Sequence, residues 1–332
     1  PFIHQAGENI INQAGKLEPT PLYYLGQYAL VVFIHKLTLV EIALIDRILV
    51  PLLTAILLPT TVFFVFSRWL KKNYALVLAM LILLIPYPSF IMTTPQNLGN
   101  LFFIITILLS LLYFRGQFPI TVLYLIAAAT LAIHPIAGIP LVITVFLFQL
   151  FKGLYESYSK HLSMFFLIGL IFVFAMPTAF IINGSALELS KPQVDIKNLS
   201  PIHFINQFDL SLNLTYLYNL NGLFLGLLVI FVGLIYLKKH KLLRNNAVYI
   251  VASLAIFGNY LIVKYFLVFP NLRDYDQVDF IKRLSTLSFY VLLPIFFIGL
   301  HFIIKKIYER NLFNKFFVIV ILSGLLTSSF YL

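Results

Sequence analysis

The chain has 332 residues, of which 61% are hydrophobic and only 11% charged, and its formal net charge is +11. Soluble domains carry about 25% charged residues, so this composition and the mean hydropathy of +0.97 predict an integral membrane protein. The basic residues stand in short clusters between apolar runs, which is typical of topology signals and argues against nucleic-acid binding. The sequence contains no cysteine, which excludes disulfides and thiolate metal sites within it.

The first forty residues predict an external segment with one or two helices lying against the membrane. In "HQAGENIINQAGK" a helix would place His4, Glu8 and Asn12 on one face and Ile10 on an apolar face, with Gly15 as its natural end. Because the chain begins without the pattern of a signal peptide, we expect it to lack at least one N-terminal transmembrane helix.

The second helix is predicted in "TPLYYLGQYALVVFIHKL" (20–37). Proline stands at its first helical position, which favours a helix start there. The apolar part is only about 17 residues long, short of the roughly 20 that a span requires. We interpret it as an interfacial helix, with a spanning helix as the alternative.

The rest of the chain, 41–332, predicts an all-α, polytopic bundle of about ten transmembrane helices. Each predicted span is too long and too continuously apolar for a strand of a membrane barrel. The predicted spans are residues 45–67, 74–92, 98–114, 118–134, 136–152, 161–183, 216–237, 246–269, 285–305 and 312–332.

The loops between these spans predict an orientation. One alternating set, including "SRWLKKN" and "KKHKLLRNN", holds 14 of the 23 basic residues and two acidic residues. Its charge is +12, against −1 for the rest of the chain, so the positive-inside rule makes this set cytoplasmic. The other set, with longer loops near 86–100, 184–215 and 270–284, then faces outside.

Polar residues in this external set are the candidates for a binding site. "PYPSFIMTTPQNLGN" supplies Gln96 and Asn97, and "AIHPIAG" puts His134 at a tight turn before a proline. For His134 a histidine that merely ends a helix is the alternative. Lys264 lies inside an apolar run, where lysine is costly unless it faces a polar cavity or extends to the lipid headgroups.

The stretch "RDYDQVDFIKR" (273–283) concentrates six charged side chains. Asp279 and Arg283 could simply form an exposed i, i+4 ion pair on a helix, and the basic residues could contact lipid headgroups. The functional interpretation is that Arg283, supported by Arg273, Tyr275, Asp279 and Lys264, binds a phosphate, which a guanidinium matches in geometry.

The order of these segments resembles the C-type membrane glycosyltransferases (the GT-C superfamily), which include protein mannosyltransferases and lipid A aminoarabinose transferases. The resemblance rests on "PFIHQAGENI", "TPLYYLGQYALVVFIHKL", "IDRILVPLLTAILLPTTVFFVFSRWLKK" and "LAIHPIAGIPLV" and covers roughly residues 1–150. It implies inverting transfer of a sugar from a polyprenyl-phosphate donor to a glycan, lipid or protein acceptor. The implied location is the extracytoplasmic side of the plasma (inner) membrane.

The resemblance also implies which residues act. The main catalytic aspartate would immediately precede Pro1 and so be absent from this sequence, with His4 and Glu8 assisting. Arg283, and less directly Arg273 or Lys264, would hold the phosphate. Some relatives use a divalent metal, but without an evident carboxylate cluster we predict no cofactor.

Two other functions remain open. A transporter or lipid flippase would be expected to show internal repeats and ionisable residues within its spans. We identify no such repeat, and apart from Lys264 we predict no buried ionisable residue in the spans. An O-antigen polymerase or ligase typically has paired arginines in a large external loop, whereas the loop 184–215 contains no arginine and only two lysines, Lys191 and Lys197.

Overall fold

A computed structural model describes residues 2–16, 25–82, 90, 92–157, 168–182, 186–187, 210–268 and 274–309. This part of the chain is a bundle of α-helices, as the sequence predicts. Its only β-pairing is a two-residue antiparallel contact between Ala186–Leu187 and Leu267–Val268. The helices are α1 (Phe2–Ala14), α2 (Leu25–Thr38), α3 (Ile42–Phe66), α4 (Lys72–Leu81), α5 (Pro95–Phe114), α6 (Ile120–Ile133), α7 (Pro135–Ser157), α8 (Ala175–Ile182), α9 (Leu210–Lys239), α10 (Ala247–Phe266), α11 (Asp274–Val291) and α12 (Leu293–Glu309).

Four helical segments in the described part are long and apolar enough to cross a membrane. The joined pair α11–α12, bent by 51°, gives a fifth candidate if it counts as one span. The four are Ile42–Phe66, Pro95–Phe114, Pro135–Gly153 and Arg244–Phe266. The chain is therefore a helical protein with four to five candidate membrane spans.

The predicted number of ten spans is not confirmed. The helix α6 is only 14 residues long because it begins after Pro119 and ends before the His134–Pro135 step. The helix α4 and the segment 168–182 are also apolar but short. The predicted span 216–237 lies within α9, whose side chains are described only from residue 224, and 312–332 lies outside the described residues.

The helix α5 is central in the described bundle. It packs against α3, α6, α7, α11 and α12, and most of its side chains are buried. Its start follows from its sequence, because the Thr94 hydroxyl accepts a hydrogen bond from the Asn97 amide (3.2 Å) and Pro95 occupies the first turn. Large apolar side chains such as Leu52 and Ile56 are exposed on the outer face of α3, as expected for a surface in contact with lipid.

The helices α1 and α2 lie against one end of this bundle. The helix α1 packs on α2 and α3, and α2 packs on α3 and α6. Two glycines allow the close approach: a Cβ on Gly7 would lie 2.9 Å from the Tyr28 ring, and one on Gly26 would lie 2.8 Å from the Ala132 backbone. Gly15 has φ +70°, which suits its predicted role as the end of α1.

The predicted exposure of α1 is wrong in one respect. The sequence places Glu8 on a polar face and Ile10 on an apolar face, yet Glu8 is 0% exposed whereas Ile10 is 48% exposed. The reason is that α1 covers polar groups on α2 and α3, so its polar face is the one that packs.

Candidate functional site

Four polar side chains of α1, α2 and α3 meet where these helices pack together. The Asp46 carboxylate accepts hydrogen bonds from the Gln5 amide at Oδ2 (3.3 Å) and from the Gln27 amide at Oδ1 (3.5 Å). Asp46 is 5% exposed and Gln27 is fully buried. Glu8 lies near enough to Asp46 for the two carboxyl groups to interact electrostatically. We call Gln5, Glu8, Gln27 and Asp46 the carboxyl cluster.

Glu8 differs from Asp46 in its hydrogen bonding. Both of its carboxyl oxygens are buried, and neither has a hydrogen-bond partner among the described residues. Burial, and after it the negative charge of Asp46, raises the pKa of Glu8 to about 8. Glu8 is therefore mainly neutral at pH 7.

His4 lies one turn before Glu8 on α1 and faces α2. Its Nδ1 is hydrogen-bonded to the hydroxyl of Tyr28 at 2.8 Å. Burial is the largest cause of a lowered pKa of His4, and the positive charge of Arg283 lowers it further. An imidazole with a lowered pKa is neutral at physiological pH and can accept or donate a hydrogen bond.

The structure also brings His134 and Arg283 into this region. His134 lies between α6 and α7, outside both helices, and its Cβ is 3.2 Å from the position that a Cβ on Gly99 would take. Burial, and then the charge of Arg283, lowers the pKa of His134, with a smaller contribution from His4. Arg283 is half-buried on α11. Three predicted site residues from distant parts of the sequence are thus within electrostatic reach of one another.

Gln96 and Asn97 occupy the first turn of α5. The Gln96 amide donates to Asn100 Oδ1 (2.9 Å), and the Asn97 side chain donates to the carbonyl of Met92 (2.9 Å). The Oε1 atom of Gln96 is buried without a hydrogen-bond partner among the described residues. The hydrogen bonds of both side chains therefore help to shape the start of α5.

One further predicted site residue, Lys264, has its described contacts away from the carboxyl cluster. Lys264 is exposed near the end of α10, where it donates to the Tyr260 hydroxyl (3.2 Å) and lies over the Tyr265 ring. The side chains of Tyr275 and Asp279 on α11, and the whole of Arg273, lie outside what the structure describes.

Sequence reasoning missed Asp46 and its amide partners. The prediction that the spans hold no buried ionisable residue except Lys264 is wrong, because Asp46 is buried within the candidate span Ile42–Phe66. A carboxylate in "EIALIDRILV" was a usable signal, since ionisable residues inside apolar spans are commonly functional.

In the described part of the chain, no group of three or more His, Cys, Asp or Glu side chains is arranged to hold a metal ion. A cavity of about 250 Å³ opens beside the carboxyl cluster, between α1, the end of α2 and the start of α3. Gln5 links the two sites, because it lines this cavity and also donates a hydrogen bond to Asp46. The other residues of the cavity wall are Asn9, Asn12, His35, Glu41, Ile42 and Ala43.

Together, the fold and this site define a helical membrane protein with a buried polar cluster at one end of its bundle. The chain matches none of the protein-family models, curated proteins or solved structures with which we compared it.

Proposed function

We propose that the chain is a multi-pass membrane glycosyltransferase that transfers a sugar, with inversion, from a polyprenyl-phosphate donor. The observation that carries this proposal is that Arg283, a half-buried arginine, lies close to His4. His4 in turn is one helical turn before Glu8, which lies near the buried Asp46. Sugar transfer from such a donor needs a cation for the departing phosphate and a carboxylate for the acceptor hydroxyl. Both types of group lie at the α1 end of the bundle.

In the proposed reaction, the acceptor hydroxyl oxygen attacks the anomeric carbon and forms the new glycosidic bond. The bond between that carbon and the phosphate oxygen breaks, and its electron pair leaves with the polyprenyl phosphate. The hydroxyl proton passes to a carboxylate. Asp46 takes this role because the Gln5 and Gln27 amides donate hydrogen bonds to its two oxygens, and Arg283 stabilises the phosphate charge.

The topology belongs to the same proposal. We propose ten spans in the plasma (inner) membrane, in which the short apolar helices and the segment after residue 309 also cross. The α1 end then faces the extracytoplasmic side, as the charge difference between the loops favours. The lipid tail of the donor would lie among the helices, while the acceptor is a glycan, a lipid or a protein.

A transfer assay tests the reaction. With membranes containing the protein and polyprenyl-phosphate-linked sugars, we expect Arg283→Ala to lower the rate at least about 100-fold, since a charged hydrogen bond to the phosphate is lost, and Arg283→Lys to restore part of it. Arg68→Ala is the matched control, because Arg68 is exposed just beyond the opposite end of α3. Normal transfer by Arg283→Ala would remove the phosphate role.

The orientation in the membrane is tested by labelling single cysteines, because this sequence contains no cysteine of its own that would react. A single cysteine is introduced at Lys282, exposed on α11 near Arg283, or at Lys239, exposed at the end of α9. A membrane-impermeant thiol reagent added to intact cells should label the first variant and not the second. The reverse labelling would overturn the proposed orientation.

A transporter or lipid flippase is the second candidate, and two observations favour it. Asp46 is a buried acid inside a candidate span, and α11 and α12 form a broken helix with a 51° bend, both of which recur in transporters. Movement of a labelled polyprenyl phosphate across liposomes, without sugar transfer, would select this function over the first.

A further inference from the structure

Trp69, the only tryptophan of the chain, lies in the turn between α3 and α4. Its ring packs edge-on against the buried ring of Phe66, with 5.3 Å between the ring centroids. Arg115, the first residue after α5, holds its guanidinium carbon 4.1 Å from the centroid of the Trp69 ring. A guanidinium in this position is attracted to the indole by a cation–π contact. The contact therefore joins the end of α5 to the turn after α3.

Three candidate spans end at this face of the bundle: Ile42–Phe66, Pro95–Phe114 and Pro135–Gly153. Trp69 and Arg115 come shortly after the first two, and Lys152 lies at the end of the third. The Lys152 amine donates a hydrogen bond to the Tyr113 carbonyl (3.1 Å), so α5 and the third span end at the same level. Aromatic and basic side chains at the ends of spans lie at the depth of the lipid headgroups.

Basic side chains lie close to Trp69 in the chain and in space. Lys71 and Lys72 are exposed at the start of α4, immediately after the turn, and Arg115 is exposed beside the ring. We call Trp69, Lys71, Lys72 and Arg115 the basic face. The sequence has no acidic residue between the last turn of α3 and the first turn of α4, or between the last turn of α5 and the start of α6. The one acid of α7 is Glu156, whose side chain lies outside the described residues.

Arg115 is the residue of the basic face best placed to bind an anion. In the described part of the chain its guanidinium has no hydrogen bond and no ion pair, although the side chain rests on Trp69. Because the ring already restricts the side chain, less freedom is lost when the guanidinium binds a ligand. A guanidinium binds a phosphate through two parallel N–H···O hydrogen bonds, and a nearby lysine adds positive charge. The basic face therefore has the chemistry of a phosphate site.

Exposed apolar side chains next to the basic face favour a lipid as the source of the phosphate. Phe64, on the last turn of α3, is 43% exposed. Leu76 and Met80, one and two turns after Lys72 on α4, are 56% and 58% exposed. A soluble phosphate makes no use of such a surface, whereas the acyl chains of a phospholipid cover it.

We propose that the basic face binds the phosphate of an anionic phospholipid, with Arg115 as the bidentate donor and Lys71 and Lys72 as supporting charges. The acyl chains of this lipid lie against the exposed apolar side chains of α3 and α4. The bound lipid thereby contacts both the turn after α3 and the end of α5. Neither sugar transfer nor the orientation of the chain in the membrane enters this inference.

The fluorescence of Trp69 tests the proposal in the full, unmodified chain, because no other tryptophan contributes. The protein is placed in nanodiscs of phosphatidylcholine with a minor fraction of phosphatidylglycerol. Only one of the two lipids at a time carries bromine on its acyl chains, which quenches a tryptophan in contact with it. Association constants from the quenching should favour phosphatidylglycerol at least about fivefold, the contribution of one cation near an anionic lipid. Equal association of the two lipids would overturn the proposal.

Variants identify the residues of the site. Arg115→Ala should lower the preference for phosphatidylglycerol at least about threefold, and Arg115→Lys should keep part of it, because lysine retains the charge but not the paired donors. Arg47→Ala is the matched control, at an exposed arginine near the other end of α3, and should keep the wild-type preference. A wild-type preference in Arg115→Ala would exclude Arg115 from the site.

A double variant keeps the test valid if Arg115→Ala does not fold. Lys71→Ala with Lys72→Ala changes two exposed side chains and leaves the contact of Arg115 with Trp69 in place. It should also lower the preference for phosphatidylglycerol, and an unchanged preference would contradict the supporting role of these lysines.

Inorganic phosphate distinguishes the source of the bound group. Added in excess to the nanodiscs, it should leave the quenching by brominated phosphatidylglycerol in place, because the acyl chains also hold the lipid. If inorganic phosphate abolishes the preference for phosphatidylglycerol while sodium chloride of the same ionic strength does not, the site takes a soluble phosphate and the lipid proposal is wrong.

Discussion

Asn259 in the bundle interior and Glu8 in the carboxyl cluster are both buried, but they differ in their hydrogen bonds. Asn259 on α10 is 4% exposed, and its side chain accepts from the Met176 amide (2.8 Å) and donates to the carbonyls of Phe172 (2.9 Å) and Ala255 (2.7 Å). Glu8 has no such bond among the described residues. Buried polar atoms are nearly always paired in native proteins, so an unpaired carboxyl marks a place where stability was not the only requirement.

The interior shows the same completeness at a second position. The Ser110 hydroxyl donates to the Ile107 carbonyl (2.6 Å) and is also hydrogen-bonded to the fully buried Tyr249 hydroxyl (2.9 Å). The bond to Tyr249 joins α5 to α10. Asn259 and Ser110 thus connect helices, whereas the Glu8 carboxyl has no described hydrogen bond to another helix.

The largest expected change in stability comes from a substitution in the bundle interior. Replacing Asn259 by Ala should lower the free energy of unfolding by about 3 kcal/mol, because the Met176 amide and two carbonyls lose their buried partner. Thermal unfolding in detergent measures this. Asn245→Ala, at an exposed asparagine before α10, is the control; equal losses in both variants would remove the structural role of Asn259.

Glu8→Gln should raise the free energy of unfolding relative to the wild type, by an amount that grows as the pH rises from 4.5 to 8. The folded-state pKa of Glu8, about 8, lies above the ordinary value of 4.5, so the folded state holds a proton that the unfolded state releases. The wild type should therefore lose about 2–4 kcal/mol of stability between pH 4.5 and 8.

The Glu8→Gln variant should lack that part of the loss, since glutamine does not titrate. The measurement is the free energy of unfolding in denaturant across this pH range. Parallel curves for the two proteins would show that Glu8 is not protonated in the folded state.

The close packing of α2 against the end of α6 gives a smaller effect. A Cβ on Gly26 would lie 2.8 Å from the Ala132 carbonyl carbon and oxygen, so Gly26→Ala should cost about 1–3 kcal/mol by displacing α2. Gly153→Ala is the matched control, because a Cβ there has nothing within 4 Å and alanine should stabilise α7 by about 0.5–1 kcal/mol. The comparison would fail if both variants changed stability in the same direction.

The smallest expected effect is a change in the pKa of His4, which tests whether Arg283 lies near α1. Since the charge of Arg283 lowers the pKa of His4, Arg283→Ala should raise it, whereas Arg283→Lys should keep it low. An NMR titration of the histidine ring resonances measures the change. A His4 pKa that is the same in all three proteins would show that Arg283 does not lie near α1.

Local signals in the sequence predicted the helical class and several helix boundaries. Gly15 indicated the end of α1, whereas the start of α5 at Pro95 was placed three residues late, at 98. These are short-range effects of capping and backbone conformation, which a sequence reports directly.

The carboxyl cluster depends on contacts that no local pattern specifies. Asp46 receives hydrogen bonds from Gln5 and Gln27, which are 41 and 19 residues away in the chain. The helical periodicity grouped His4 with Glu8, but it could not show that this polar face packs inward. The ten-span prediction depended on apolar length, and α6, which ends near the predicted boundary, is only 14 residues long.

The short apolar helices have a consequence for the surrounding lipid. The 14 residues of α6 extend about 21 Å at 1.5 Å per residue, whereas the hydrocarbon layer of a bilayer is about 30 Å thick. If α6 crosses, the leaflets must thin beside it, as they do around other helices with a hydrophobic mismatch. His134 at its end would then sit level with displaced headgroups, and under the proposed function the polar end of the donor would reach Arg283 without leaving its own leaflet.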